Sequence, residues 1–183
     1  MEFRDATEAD APRIGALHAA SWRLAYRGML SDEYLDGDLV SERTTVWTER
    51  LTAPKPRQRV VLAEADRRLA GFACAFGSDD PELGTLLDNL HVEQDFQRQG
   101  IGAKLMTEIA VWCQEESPGE GLFLWVLEPN WPARHFYQRL GAEPVRKEVW
   151  LSPDGGSIPC LCYAWQRVET LLQALTLRNH KRS

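Results

Sequence analysis

The segment GLFLWVL (121–127) constrains the fold of this chain more than any other part of its sequence. It is apolar at almost every position, which is typical of a strand that is covered on both faces and lies inside a sheet. Helical patterns flank it, since one apolar stripe runs from Ile101 to Trp112 and a shorter one ends at Leu140. Strands that alternate with helices need crossover connections, so parallel pairing is predicted at this point.

The remaining elements extend the sheet on both sides. The β-rich runs 59–65 and 69–76 indicate a hairpin, and the runs 145–151 and 158–166 are joined by the turn sequence SPDGGS. The prediction is a mixed, mostly antiparallel α/β sheet with a central parallel pair and helices on both faces. Further strands are predicted at 2–6 and 85–93, and helices after Thr7, from Ser31 to Leu35, from a Ser41 cap to Leu51, and over 98–115, 131–140 and 168–177, with loops at 52–58 and 77–84.

Length and charge limit the classes of protein that the chain can represent. Its 183 residues predict one domain over 1–168 and a C-terminal helix and tail over 169–183. A net charge of −6 argues against a nucleic-acid partner. No run approaches the roughly 18–20 apolar residues of a membrane span, and no secretory pattern is present. We therefore expect a cytoplasmic protein with no membrane partner.

The cysteines do not predict a metal site. Cys160 and Cys162 are one residue apart, which is not the spacing of a zinc or redox motif, and Cys74 and Cys113 are isolated. The four histidines do not cluster with them at ligand spacing. We expect reduced thiols and no metal.

The sequence QRQGIG (97–102) places two glycines between a strand and a helix. Free N–H groups and the positive dipole end of a helix suit an anion there, and glycine lets a phosphate approach the backbone. The Walker pattern GxxxxGKS/T and the Rossmann pattern GxGxxG are both absent, which disfavours those nucleotide sites. The alternative is that Gly100 and Gly102 allow close packing of the helix on the sheet.

Two longer stretches resemble motifs of one family, the GNAT N-acetyltransferases. LDNLHVEQDFQRQGIGAKLM (87–106) is similar to its motif A, and LWVLEPNWPARHFYQRLGAEPV (124–145) is similar to its motif B. Their order and separation match, as do the hairpin before them and the strands after them. The resemblance covers nearly the whole chain. It implies the acyl-CoA N-acyltransferase fold, in which the parallel pair splays apart and a β-bulge helps to open a slot.

The resemblance also implies that acetyl-CoA is the co-substrate. Backbone amides from Arg98 to Ala103 would hold the pyrophosphate, with a charge-assisted contact from Arg98. Asn130 would hydrogen-bond the pantetheine arm, a role compatible with the simpler one of a helix N-cap. The full set that the resemblance implies for acetyl-CoA is Leu90, His91, Val92, Gln97, Arg98, Gln99, Gly100, Ile101, Gly102, Ala103, Asn130 and Tyr137.

Tyr137 is the catalytic residue that the resemblance implies. Its hydroxyl would donate a proton or hydrogen bond to the departing thiolate, whereas spacing alone would favour an aromatic packed in the core. A backbone N–H near Val92 would polarise the thioester carbonyl.

The general base stays open among Asp88, His91, Glu93 and water. His91 has the intrinsic pKa for the role, but strand alternation places it on the face opposite Leu90. Where relatives carry a glutamate further up this strand, this chain has Leu86.

The acceptor is predicted to be a primary amine of a small molecule or peptide. The resemblance places it under the aromatic stretch 18–35, where Trp22 and Tyr26 are four residues apart and can share one helix face. Such a face suits an apolar or cationic acceptor, while ordinary packing on the sheet is the alternative. Many relatives dimerise, which allows a homodimer.

A second function, from another class, is an acyl-CoA-binding regulatory module without turnover. Tyr137 and the complete glycine motif favour the enzyme. A different nucleotide binder is a weaker third hypothesis, because the Walker and Rossmann patterns are missing.

Overall fold

A computed structural model describes residues 1–180, so the last three residues of the predicted tail lie outside it. Seven strands form one sheet in the order β1-β2-β3-β4-β5-β7-β6, in which β4 and β5 are parallel and every other pair is antiparallel. This confirms the predicted fold class. The strands are β1 Glu2–Asp5, β2 Gln58–Ala65, β3 Arg68–Asp80, β4 Gly84–Val92, β5 Leu122–Leu127, β6 Glu143–Leu151 and β7 Ser157–Trp165. The helices are α1 Ala11–Ala25, α2 Asp32–Asp36, α3 Leu39–Thr52, α4 Ile101–Glu116, α5 Trp131–Gln138 and α6 Val168–His180.

Helices cover both faces of the sheet, and alternate strand residues supply the two cores. On one face Val61 and Ala73 pack with residues of α4, α5 and α6. On the other, Leu62 and Phe72 pack with α1 and with Trp47 of α3. Burying apolar side chains on both faces explains the continuous apolar sequence of the central strands. Within the described residues, no helix is long and apolar enough to cross a membrane.

A β-bulge distorts β4 in the middle of the sheet. Cys74 of β3 lies opposite Asn89, while Ala75 lies opposite Leu87, so Asp88 is one residue more than β3 can pair. Side chains normally alternate along a strand, yet Asp88 and Asn89 both accept hydrogen bonds from the same Arg50 guanidinium, at 2.6 and 3.0 Å. The bulge therefore turns two consecutive side chains toward α3.

The parallel strands β4 and β5 part soon after they meet. In the described chain they pair at only two positions, Thr85 with Leu122 and Leu86 with Phe123. From Asn89 to Val92, β4 has β3 on one side and, among residues 1–180, no strand paired on the other. The splay leaves a V-shaped gap at the carboxyl ends of both strands.

Three predicted boundaries were wrong. The third helix begins at Leu39 after Asp38, not at a Ser41 cap, because Leu39 is buried and packs with Leu35 under the helix start. Helix α4 begins at Ile101 rather than near Arg98, since Arg98 and Gly100 both have left-handed φ angles. Part of the predicted loop 77–84 is strand, because β3 continues to Asp80.

Candidate active site

The gap between β4 and β5 opens into a cavity of about 1100 Å³. Helix α1, helix α3, the start of α5 and strand β6 complete its walls. Of the residues predicted for the site, Trp22, Tyr26, Leu90, His91, Val92, Gln97, Asn130 and Tyr137 line this cavity. The predicted residues 98–103 are not on the cavity wall. Gly102 adjoins the cavity residue Val92 at the start of α4, whereas the side chains of Ile101 and Ala103 are buried in the core.

Strand β4 presents different chemistry to the two faces of the sheet. Leu90 and Val92 pack on the core beneath α4, whereas the His91 ring lies on the α1 face, 5.2 Å from Phe72. The backbone N–H of Glu93 donates to Ala70 of β3 at 2.9 Å. Because successive strand amides point to opposite edges, the N–H of Val92 is directed toward the gap.

The glycine-containing turn delivers free amides beside this gap. Gly100 precedes α4 with a φ of 89°, a conformation in which glycine is strongly favoured. The first backbone hydrogen bond of the helix runs from the Lys104 N–H to the Gly100 carbonyl, at 3.1 Å. The amides of residues 101–103 precede it, so they have no acceptor within the helix and carry its positive dipole end.

Close packing does not explain the second glycine of the turn. A Cβ added to Gly102 would lie 3.7 Å from carbons of Phe136 and Val92, which is ordinary van der Waals contact. The helix would therefore accept alanine here without moving. Packing against the sheet therefore gives no steric reason for a glycine at this position.

Helix α5 brings Asn130 and Tyr137 to the cavity. The side-chain Oδ1 of Asn130 accepts from the Ala133 N–H at 3.3 Å, which confirms the N-cap, and Asn130 is also on the cavity wall. Tyr137 lies two turns on, with 9% of its surface exposed and its ring edge-on to Trp165. Burial, with a smaller contribution from Tyr26, raises the pKa of its phenol well above the usual value. The hydroxyl is therefore protonated at neutral pH and able to donate.

The three candidate bases differ in position and in their partners. Asp88 lines the cavity in a 2.6 Å ion pair with Arg50. Glu93 pairs with Arg68 at 3.2 Å and does not line the cavity. Burial lowers the pKa of His91 to about 4, so its imidazole is neutral at physiological pH but holds a proton weakly.

Trp22 and Tyr26 share a face of α1, as predicted, and their ring centroids are 5.3 Å apart. Both line the cavity, so this face is a wall of the site as well as a packing surface. His18 lies in the predicted stretch 18–35 but was not named as a site residue, and Arg43 was missed; both line the same wall. A histidine on the apolar stripe of α1 is a detectable signal, whereas nothing in the sequence marks Arg43, which reaches the wall from α3.

A parallel pair that splays beside a glycine turn at a helix N-terminus defines the acyl-CoA N-acyltransferase class of fold. Residues 21–142 match the acetyltransferase (GNAT) family. The chain therefore belongs to the GNAT family of acetyltransferases.

Relatives and solved structures agree with this assignment. A Mycobacterium tuberculosis protein named a probable N-acetyltransferase is 28% identical over 173 residues, 91% of this chain and 94% of that protein. An uncharacterized N-acetyltransferase of Bacillus subtilis is 28% identical over 81% of this chain and 83% of its own length. The PaiA N-acetyltransferase of Thermoplasma acidophilum, solved in complex with coenzyme A, shares the fold with a TM-score of 0.72 and 18% identity, over 90% of this chain and 98% of that one.

Proposed function

We propose that this protein transfers the acetyl group of acetyl-CoA to a primary amine of a small molecule or peptide. The observation that carries the proposal is the gap between β4 and β5, with the free amides of α4 at one end and Tyr137 inside it. A phosphate-bearing thioester fits these features in order along the gap. The pyrophosphate lies on residues 98–103, and the pantetheine arm lies between the strands.

Strand-like pairing orients the acetyl-CoA arm. The unpaired edge of β4 at Leu90 and Val92 offers backbone groups in the place of a missing strand. The Val92 N–H faces the gap and donates to the thioester carbonyl, which withdraws electrons from its carbon. Asn130 holds an amide of the arm.

The reaction proceeds in one complex of both substrates. The lone pair of the neutral amine forms a bond to the thioester carbon, and the carbon–sulfur bond breaks with its electrons on sulfur. The Tyr137 hydroxyl donates its proton to that sulfur, and the proton released by the new amide returns the phenol to its neutral form through solvent. Holding both substrates in register supplies much of the acceleration.

Solvent is the proposed acceptor of the proton that the ammonium form loses before attack. Asp88 is held by Arg50, Glu93 lies outside the cavity, and His91 is too weak a base because its pKa is about 4. The amine therefore enters as the small neutral fraction present in solution.

The test measures acetyl-CoA affinity by calorimetry and then thiol release across amino acids, polyamines, aminoglycosides and N-terminal peptides. We expect micromolar binding and acetyl transfer to at least one class. Absence of acetyl-CoA binding would overturn the proposal. Binding without turnover on the whole panel would instead support the regulatory module.

A further inference from the structure

Two buried side-chain nitrogens in the described part of the chain have no hydrogen-bond partner, and both belong to residues that line the cavity. They are Nε2 of His18 and Nε of Arg43. Buried polar atoms in native proteins almost always have a partner. Two such atoms on one wall indicate that the missing partner is a ligand.

His18 is a hydrogen-bond donor at its unpartnered nitrogen. The indole N–H of Trp47 donates to His18 Nδ1 at 2.9 Å, and an indole nitrogen can only donate, so Nδ1 carries a lone pair. The proton of the neutral ring is therefore on Nε2. The side chain is 3% exposed, and burial, followed by His91, Arg43 and Arg50, holds its pKa well below the usual range.

Arg43 brings a positive charge to the same corner. Its side chain is 13% exposed, its guanidinium lies 4.7 Å from the centre of the Trp22 ring, and Nη2 donates to Glu42. The ion pair leaves Nε without an acceptor. Trp22 joins the two donors, because the His18 ring meets it edge-on at 5.1 Å.

This corner adjoins the place where the acetyl group would lie. The His18 ring is 4.7 Å from the ring of His91, the residue between Leu90 and Val92 on the edge of the gap. On the other side, Tyr26 packs on Trp22. A small molecule with its amine at the gap can therefore reach Arg43 and His18 with a second polar group.

Of the carboxylates on the cavity wall, Asp88 is already bound by Arg50 at 2.6 Å, and Glu148 projects from the exposed strand β6. The donors on the α1–α3 wall therefore call for an acceptor oxygen from the substrate. Building on the proposed function, we propose that the acceptor is an amine that also carries a carboxylate, such as a free amino acid, and that Arg43 and His18 bind this carboxylate. Apolar substrate atoms would pack on Trp22, Tyr26 and Trp150.

The substrate test compares each amino acid with its carboxamide and with the amine that lacks the carboxyl carbon. Charge-assisted hydrogen bonds predict a kcat/KM roughly 10- to 100-fold higher for the acid than for the decarboxylated amine, with the difference mainly in KM. Faster transfer to polyamines, aminoglycosides or decarboxylated amines than to every carboxylate-bearing amine would overturn the inference.

Two variants test the contributions of the donors Arg43 and His18 separately. Arg43→Gln removes the charge, and His18→Asn keeps an oxygen for the Trp47 N–H while removing the Nε2 donor. Each should lower kcat/KM for the acid roughly 10-fold or more and change that for the decarboxylated amine less than about threefold. Arg27→Gln is the matched control, because Arg27 is exposed, pairs with Asp32 and Asp36, and is not on the cavity wall.

Acetyl-CoA affinity and thermal unfolding, measured for each variant, distinguish the ways in which the ideas can fail. Suppose that the wild type binds acetyl-CoA and acetylates amines, but that Arg43→Gln lowers activity equally on acids and on decarboxylated amines. The proposed function then stands and this inference is wrong. If the wild-type protein acetylates no amine, both the proposed function and this inference are wrong.

Discussion

Burial sets the chemistry of Tyr137. A phenol with a pKa raised by its surroundings stays protonated through the whole physiological range, so in the proposed reaction the hydroxyl is available to donate to the departing sulfur. Tyr137→Phe keeps the ring that packs on Trp165 and removes the proton. We expect kcat to fall about 100-fold while acetyl-CoA affinity changes less than about threefold. Steady-state kinetics and calorimetry on the same preparation check this.

Tyr163 provides the control for loss of a tyrosine hydroxyl. Its oxygen accepts hydrogen bonds from Arg134 and Gln138 of the helix that carries Tyr137, at 3.3 and 3.2 Å, but it is not on the cavity wall. Tyr163→Phe should lower thermal stability and leave kcat within about threefold. Equal kcat in the wild type and Tyr137→Phe would remove Tyr137 from the reaction.

The pH dependence of acetyl transfer tests whether His91 is the general base. Its pKa of about 4 keeps the imidazole neutral above pH 5, so its titration cannot produce a limb near pH 6.5. We expect kcat/KM to rise with pH toward the pKa of the substrate amine, with the same profile in wild type and His91→Gln. A limb between about pH 6 and 7 that disappears in His91→Gln would identify His91 as the general base instead.

A substitution at the start of helix α4 tests the stability of the fold and the binding of acetyl-CoA separately. Alanine is favoured over glycine by about 1 kcal/mol inside a helix, and a Cβ on Gly102 meets only ordinary contacts at 3.7 Å. Gly102→Ala should therefore hold or raise the melting temperature. In the proposed complex the pyrophosphate lies against the backbone of this turn, so the added methyl group should lower acetyl-CoA affinity roughly 10-fold.

Gly119→Ala is a useful contrast to Gly102→Ala. A Cβ on Gly119 would meet nothing within 4 Å, but the φ of Gly119 is 85°, so alanine there is strained and should lower stability without changing acetyl-CoA affinity. Thermal unfolding measures the effect of each variant on stability, and calorimetry measures its effect on acetyl-CoA affinity. Unchanged affinity in Gly102→Ala would place the pyrophosphate elsewhere.

The parts of the site that sequence predicted are local. The glycine turn at Gly100 and the Asn130 cap each depend on a few residues that are adjacent in the sequence, so a short sequence pattern is enough to predict them. The bulge at Asp88 depends on register with β3, and the splay after Leu86 depends on which strands meet. Neither leaves a signal in the segment where it occurs, so only the family resemblance implied them.

The α1–α3 wall of the cavity was only half predicted, for the same reason. Trp22 and Tyr26 are neighbours on one helix face, and the period of α1 is enough to place them together. Arg43 reaches Trp22 from a different helix, through a contact that the packing of α1 on α3 creates. The predicted Ser41 cap failed likewise, because burial of Leu39 sets the start of α3.

A cluster of charges ties the first strand, the first helix and the hairpin into one molecule. Arg4 of β1 bonds both oxygens of Asp10 at 2.8 Å and Glu64 of β2 at 2.8 Å, and Arg13 of α1 reaches Glu64 at 2.7 Å. Asp10 also accepts from the Thr7 N–H at 2.9 Å, which completes the turn before α1. The edge of the sheet is thereby fixed to the helix that lines one wall of the cavity.

Because of this cluster, we expect the free energy of unfolding to depend on pH within a defined range. Hydrogen bonds from Arg4 hold the pKa of Asp10 far below its usual range and also lower that of Glu64. Each carboxylate then stabilises the fold fully above its unfolded pKa of about 4, and the stabilisation is lost as pH falls below that value, because the unfolded chain takes up protons first. Asp10 is buried, with only 6% of its side chain exposed. Asp10→Asn should therefore cost about 2–4 kcal/mol of unfolding free energy at pH 7.

Urea unfolding from pH 7 to 2 measures the effect on both sides of that range. Between about pH 6.5 and 4 both proteins should lose stability in parallel, because the lowered pKa values of His18 and His91 let the unfolded chain bind protons first there. Below about pH 4 the wild type should fall more steeply than Asp10→Asn, so the two curves converge. Asp36→Asn is the control, since Asp36 pairs with Arg27 on the exposed surface and should change stability little. Parallel curves below pH 4 would show that the charge of Asp10 does not hold this edge of the sheet together.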